Sequence, residues 1–333
     1  MNEAPPLADT FGRVHDNLRI SITDRCNIRC FYCMPEQDVE FVPRAEILSF
    51  EEIERFARVA AALGVTKLRI TGGEPLLRRG LPVLVAKLAA IPGIVDLALT
   101  TNGVMLAQLA RPLYDAGLRR INVHLDTLDR ERFLHITRRD ELARVLDGIA
   151  ECRRLGYGPI KINAVAVKGL TEPDIVPLAR YGRENGFEIR FIEFMPLDAQ
   201  DLWDRSRVLL ADEIVETLSR EVAPVLEIPD KDPRAPATEY RYADGCGRVG
   251  FIASVSRPFC TNCNRIRITA DGHLRYCLFA LEEFDLKPLL RGGAPDEEIA
   301  ASIRSVVLKK WEGHEINTNR FVPPPRPMYS IGG

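Results

Sequence analysis

Six of the eight cysteines fall in two triads, Cys26-x3-Cys30-x2-Cys33 near the start of the chain and Cys260-x2-Cys263-x13-Cys277 near its end. Cysteines clustered at such spacings, with no secretory segment ahead of them, read as metal ligands rather than a disulfide framework. Each triad offers three thiolates where a closed tetrahedral site or a fully ligated cluster would use four. The pattern points to two iron–sulfur clusters, each leaving one iron open to a small molecule, and an open iron implies chemistry rather than scaffolding. Arg25 and Arg29 beside the first triad would favour its thiolate forms. The competing reading is a three-cysteine zinc loop with a remote fourth ligand. Cys152 and Cys246 match neither spacing and read as structural thiols.

The residues that could bind a ligand beside those triads lie on strands. From residue 17 to about 222, short β-rich runs alternate with helical patterns, which predicts repeated βα units and a parallel sheet. Six strands are expected, starting near Leu18, Lys67, Val95, Arg120, Ile160 and Glu188. Along them one face is apolar, as in Leu18/Ile20/Ile22 and Ile121/Val123/Leu125. The other carries Arg19/Ser21/Thr23, Lys67/Arg69/Thr71, Asn122/His124/Asp126, Lys161/Asn163 and Glu188/Arg190.

A doubly wound sheet is covered on both faces and reads as nearly continuously apolar, and a closed barrel fills its interior with Val, Ile and Leu. Neither matches this alternation. The sequence predicts an α/β fold, a partial, open (βα)6 TIM-type barrel over residues 1–222 with a polar cavity. A C-terminal cluster-binding extension follows over 223–333. Arg19, Lys67, Arg69, Lys161 and Arg190 would project inward against Asp126 and Glu188, so the cavity should hold an anion. The alternative for any one of them is a solvated strand end.

The helix after the first strand is well marked. Ser49 and Glu52 form a capping-box pattern, Phe50, Ile53, Phe56, Ala60 and Leu63 share a face, and Gly64 stops it. Pro-rich, mixed-charge sequence then leads from about residue 223 to the second triad, and the tail ends in Gly332–Gly333. The chain is 46% apolar and 28% charged with a formal net charge of -2, so it has no global attraction for nucleic acid or an anionic membrane. Clustered cysteines without a signal peptide or a bilayer-length apolar run predict a cytoplasmic protein, and a homodimer is the common prior for its assembly.

Cys-x3-Cys-x2-Cys with Tyr32 before the third cysteine resembles the signature of the radical S-adenosylmethionine (SAM) enzymes. Gly72-Gly73-Glu74-Pro75 resembles their GGEP element. The resemblance implies a [4Fe-4S] cluster on Cys26, Cys30 and Cys33 whose open iron chelates SAM, and reductive cleavage of SAM to a 5′-deoxyadenosyl radical. Glycines would let the backbone approach the methionine moiety, and Glu74 could accept its ammonium hydrogens.

The second triad with Arg265 and Arg267 in CTNCNRIRIT, together with the diglycine end, resembles the GTP 3′,8-cyclase family of molybdenum cofactor biosynthesis over nearly the whole chain. That implies a second [4Fe-4S] cluster on Cys260, Cys263 and Cys277 that binds guanine. It also implies GTP contacts at Arg19, Arg69, Thr100, Lys161, Arg265, Ile266 and Arg267, with Lys67 and Arg190 as additions. Tyr32, Gly73 and Met195 fall at SAM contacts, alongside Gly72, Glu74 and Pro75. His124 stands where the family commonly has a serine that touches SAM, and imidazole can also make that hydrogen bond. The resemblance places Arg19, Arg265, Arg267, Gly332 and Gly333 in catalysis, the tail entering the active site where larger side chains would not fit. It implies a downstream cyclic pyranopterin monophosphate synthase and leaves the electron donor open.

Two rivals remain at this level. One is another two-cluster radical SAM enzyme acting on a peptide or a different nucleotide. The other is a non-enzymatic, zinc-stabilised nucleotide-binding or sulfur-carrier protein with the diglycine as its reactive end.

Overall fold

Strands with one apolar and one charged face need helices on the first and a cavity on the second, and the computed structural model has that arrangement. It describes residues 6–229 and 232–333. The first half alternates β1 (Asn17–Ser21), α1 (Phe50–Ala62), β2 (Lys67–Thr71), α2 (Leu81–Ala89), β3 (Asp96–Thr101), α3 (Leu106–Asp115), β4 (Arg120–His124), α4 (Arg130–Thr137), α5 (Leu142–Arg154), β5 (Ile160–Ala166), α6 (Glu172–Asn185), β6 (Glu188–Glu193) and α7 (Ala211–Glu221). All six expected strands are present, β1 to β6 are parallel, and each pairs with the next.

The helices cover one face. In α1 the Ser49 side chain accepts from the Glu52 backbone at 3.1 Å while Glu52 accepts from the Ser49 N–H at 2.6 Å, the reciprocal cap expected from sequence. Ile53, Phe56, Ala57 and Ala60 are buried. At the other end Gly64, with φ near +100°, lets Val65 and Gly64 donate back to the Ala60 and Ala61 carbonyls, which closes the helix. Leu18, Ile20, Leu68, Ile70, Ile121 and Val123 are likewise buried in the main apolar cluster.

The extension continues the same sheet. It contributes β7 (Val225–Glu227), β8 (Thr238–Tyr242), β9 (Arg248–Ile252), β10 (Arg265–Ile268), β11 (His273–Arg275) and β12 (Phe284–Asp285), then α8 (Lys287–Arg291), α9 (Asp296–Leu308) and α10 (Met328–Ile331). β9 adds in parallel to β6, and β10 adds in parallel to β1 on the opposite edge. Among the described residues the strand order is β12-β11-β10-β1-β2-β3-β4-β5-β6-β9-β8-β7, with no pairing between the two ends, so the barrel is open. The sheet nevertheless curls. Arg234, in the segment joining β7 to β8, reaches Asp16 beside β1 at 3.0 Å, and Asp232 reaches Lys67 of β2 at 3.6 Å.

Candidate functional site

Strand direction puts the two triads at opposite mouths of this barrel. Cys26, Cys30 and Cys33 follow the C-terminal end of β1, where parallel α/β folds place ligands. Cys263 precedes β10, and Cys277 follows the antiparallel β11, whose Arg275 lies beside Arg267. Lys310 ties those two segments together, donating to the Arg265 carbonyl at 2.8 Å and the Tyr276 carbonyl at 2.6 Å.

The first triad is moulded by the GGEP turn. A Cβ on Gly72 would meet the Thr23 carbonyl at 2.5 Å, and one on Gly73 would meet the Arg25 carbonyl at 2.5 Å. With no side chain on Gly72 or Gly73, the Gly73 and Glu74 N–H groups donate to the Thr23 and Arg25 carbonyls at 2.6 and 2.7 Å, pinning the chain just ahead of Cys26. Pro75 is buried and opens the short turn that follows. Glu74 is buried too. Its carboxylate accepts from Thr101 Oγ1 and the Asn102 N–H at 2.7 Å each and from the Leu76 N–H at 2.9 Å. Burial nevertheless lifts it to about 7, against those hydrogen bonds. Its main observed task is to join the ends of β2 and β3.

The arginines beside the first triad do not act as the sequence suggested. Arg29 donates to the Cys26 carbonyl at 2.6 Å and Arg25 lies over the Phe41 ring, so neither guanidinium is spent on a sulfur. Burial, then Glu74, pushes the Cys26 thiol up to about 12. Burial, then Cys30, also raises Cys33, offset in part by the Tyr329 backbone N–H from the C-terminal tail. The second triad differs. Burial opposes ionisation of Cys263, but Arg265, whose Nη2 is 3.5 Å from the sulfur, and Lys310 outweigh it and bring the thiol to about 5. Cys260 is raised by burial.

Tyr32, His124 and Asp126 form one cluster next to Cys30. The Tyr32 hydroxyl lies 2.5 Å from both Asp126 Oδ2 and His124 Nε2, and His124 Nε2 lies 3.1 Å from the same carboxylate oxygen. Desolvation opposes the imidazolium, yet Asp126 holds it charged well above the usual range. Asp126 therefore faces this cluster rather than the cavity arginines. Met195 packs beside Leu197 and Ile331, under the tail.

Between the mouths runs a row of guanidinium groups. Strand register sets Arg267, Arg19 and Arg69 side by side on β10, β1 and β2, with Arg265 one inward position below. Among the described residues, Arg19 Nε and Arg69 Nη1 are buried without a hydrogen-bond partner. Burial, then Arg267, Arg265 and Arg69, pushes Arg19 well below its ordinary range. Burial, then Arg190 across the barrel, brings Arg69 to about 10, and burial with Arg265 brings Arg267 to about 10.

The other expected cations are compensated. Lys161 pairs with Glu188 at 3.0 Å, and Arg190 pairs with Glu188 at 2.5 Å and Glu239 at 3.4 Å. Lys67 lies near Asp16 and Asp232 at 3.7 and 3.6 Å. Thr100 registers with Asn122 on β4. The Ile266 side chain is buried in the apolar cluster, so only its backbone is on offer to a ligand. Glu239 was not foreseen. It lies on β8, whose place depends on β9 pairing with β6, and no local sequence signal marks that.

The tail enters the same cavity. Gly332, with φ near +91°, sits so close to β1 that a Cβ would meet the Ser21 Cβ at 2.7 Å. Its carbonyl accepts from Arg267 Nη1 at 3.2 Å, and the Gly333 carbonyl accepts from Thr71 Oγ1 at 2.5 Å.

The donor sets fit iron–sulfur clusters. Each triad is three free thiols, the first on the single loop after β1 and the second at the two open ends of the β10–β11 hairpin. Among the described residues no three His, Cys, Asp or Glu side chains form a group that could hold a single metal ion. A cluster ligates each thiolate at its own iron and needs no such convergence.

A partial parallel barrel with this triad after its first strand defines the radical SAM class, and residues 20–182 match the radical SAM superfamily model. Residues 187–316 match the model described as Molybdenum Cofactor Synthesis C. Among solved structures, Streptococcus suis SuiB bound to S-adenosylmethionine aligns over 93% of this chain and 76% of its own, with a TM-score of 0.59 at 16% identity, a likeness of fold. The GTP 3′,8-cyclase of Rhodopirellula baltica is 48% identical over 100% of this chain and 94% of its own. That of Mycolicibacterium smegmatis is 49% identical over 98% and 92%. The chain belongs to the GTP 3′,8-cyclase family.

Proposed function

We propose that the protein is a GTP 3′,8-cyclase, a lyase converting GTP to (8S)-3′,8-cyclo-7,8-dihydroguanosine 5′-triphosphate early in molybdenum cofactor biosynthesis. The observation that carries this reading is the Arg267–Arg19–Arg69 row, with buried donors left over, lying between two cysteine triads at opposite mouths. Such donors fit a polyanion held through several charge-assisted hydrogen bonds. Cys26, Cys30 and Cys33 would hold a first [4Fe-4S] cluster, and Cys260, Cys263 and Cys277 a second that takes the guanine. When bound, SAM and the first cluster would supply the radical chemistry for hydrogen-atom removal from ribose C3′.

The protein's own share is placement. Arg19, Arg69, Arg265 and Arg267 hold the triphosphate, with Thr100, Lys67, Lys161, Arg190 and the Ile266 backbone completing the walls. Tyr32, Gly72, Gly73, Glu74, Pro75, His124 and Met195 shape the SAM end. Gly332 and Gly333 close the space beside the arginines, with Arg19, Arg265 and Arg267 as the catalytic cations. Residues 1–222 thus carry the first cluster and most of the cations that face the triphosphate, and 223–333 the second cluster, Arg265, Arg267 and the diglycine. The product would pass to a cyclic pyranopterin monophosphate synthase, in the cytoplasm. Among the described residues no helix is long and apolar enough to cross a membrane.

The test is mass spectrometry of anaerobically reconstituted, reduced protein with SAM, with and without GTP. The reading requires 5′-deoxyadenosine that rises with GTP and a cyclised nucleotide. SAM cleavage indifferent to GTP would move the substrate elsewhere, to a peptide or another nucleotide.

A further inference from the structure

The last residues form a helix of four residues, α10, too short to hold itself in place. Thr71 and Arg267 hold the carbonyls that follow it, and a further anchor lies just ahead of it. Arg326 donates from Nη1 to Asp271 Oδ1 at 3.1 Å and from Nη2 to Asp271 Oδ2 at 2.8 Å, a bidentate fork. Its Nε lies 2.8 Å from Glu283 Oε2.

Both acceptors are themselves held. Asp271 sits in the β10–β11 turn, accepting from Thr269 Oγ1 at 2.6 Å with His273 Nδ1 at 3.2 Å. Glu283 turns its other oxygen to Arg275, which is fully buried and also donates to the Ala280 carbonyl at 2.6 Å and the Leu278 carbonyl at 3.3 Å. Cys277 lies inside the loop that Arg275 organises. One carboxylate, Glu283, thus joins the loop carrying the third thiol of the second triad to the segment carrying the diglycine.

We propose that Arg326 is a positioning residue for the reaction, setting Gly332–Gly333 in the cavity by its grip on Asp271 and Glu283 and linking that placement to the Cys277 loop. It touches no substrate and acts through the tail alone. The proposal rests on the cyclase reading and on a role for the tail in turnover, so the test separates the two.

Four reconstituted holoenzymes are compared: the native protein, Arg326→Gln, a chain lacking Gly332–Gly333, and the two changes combined. Loss of this partly buried, charge-assisted fork predicts a fall in cyclised nucleotide at saturating GTP of about tenfold or more in Arg326→Gln. Iron content and GTP affinity should stay within about threefold of native, the scatter expected of remote changes. The combined variant should be no slower than the truncated one, because an effect exerted through the tail has nothing left to act on. Arg326→Lys, which keeps the charge and loses the fork, should fall between native and Arg326→Gln. Native turnover in Arg326→Gln, or losses that multiply in the combined variant, would overturn the proposal.

A second readout is independent of activity. Hydrogen exchange of residues 328–333 should be slow in the native holoenzyme and fast in Arg326→Gln, and equal protection in both would overturn the anchoring. If the native protein makes no cyclised nucleotide, the cyclase reading fails, while this comparison still decides whether Arg326 holds the tail.

Discussion

Thr71 donates its hydroxyl to the carbonyl of Gly333 at 2.5 Å across 262 residues of sequence. The bond ties the end of β2, where the GGEP turn begins, to the end of the chain. Gly332 completes the seal by lying against Ser21 with no room for a side chain.

Gly332→Ala should therefore displace the tail. Its new Cβ would stand 2.7 Å from the Ser21 Cβ, and the left-handed φ adds strain for any residue but glycine. Cyclised nucleotide should drop by about tenfold or more, a loss of over 1.4 kcal/mol of transition-state stabilisation, with SAM affinity little changed. Normal turnover by this variant would remove the tail from the site.

The arginine row predicts opposite effects on stability and binding. Arg69 is half-buried, its enclosed Nη1 has no hydrogen-bond partner among the described residues, and the like charges around it outweigh Asp96. Arg69→Met should raise the melting midpoint of the ligand-free protein, since a desolvated guanidinium that Asp96 only partly offsets is removed. It should also weaken GTP binding by about 1.5–3 kcal/mol, the worth of a hydrogen bond to a charged group. Calorimetry with and without GTP checks both signs. A less stable variant with unchanged affinity would show that Arg69 is structural.

Much of this was legible in the chain because it rests on local or periodic signals. Alternation along β1, β2, β4 and β5 marked the polar face, and Ser49 with Glu52 marked α1. What sequence could not supply was compensation between distant charges. That Lys161 and Arg190 share Glu188 and Glu239, while Arg19 and Arg69 keep free donors, depends on β9 and β10 adding to opposite edges of one sheet. The link from Arg326 to Asp271 is equally silent, since neither residue sits in a pattern. The influence of Arg25 and Arg29 on the first triad was misjudged for a related reason: proximity in sequence does not say where a guanidinium points.

The His124 imidazole shares Tyr32 and Asp126 in one cluster. His124→Ser leaves the bond from Tyr32 to Asp126 in place. SAM affinity by isothermal titration should consequently fall by no more than about tenfold, the worth of one hydrogen bond. A larger loss would mean that the imidazole itself contacts SAM.

His15 predicts how stability depends on pH. The ring is fully buried, with Nδ1 2.8 Å from the Arg13 carbonyl, Asp9 3.7 Å from Nε2, and Lys310 nearby. Burial, then Lys310, lowers it from 6.5 to about 4, against the pull of Asp9. Between those values the unfolded chain binds a proton that the folded chain refuses, so stability falls as the pH drops from 6.5 towards 4 and is fully present above 6.5. A shift of that size corresponds to about 3 kcal/mol at about 1.4 kcal/mol per unit. His15→Gln cannot take up the proton, so it should flatten the acid limb of the urea-unfolding profile across that window. A profile as steep as the native one would assign the acid sensitivity to the carboxylates instead.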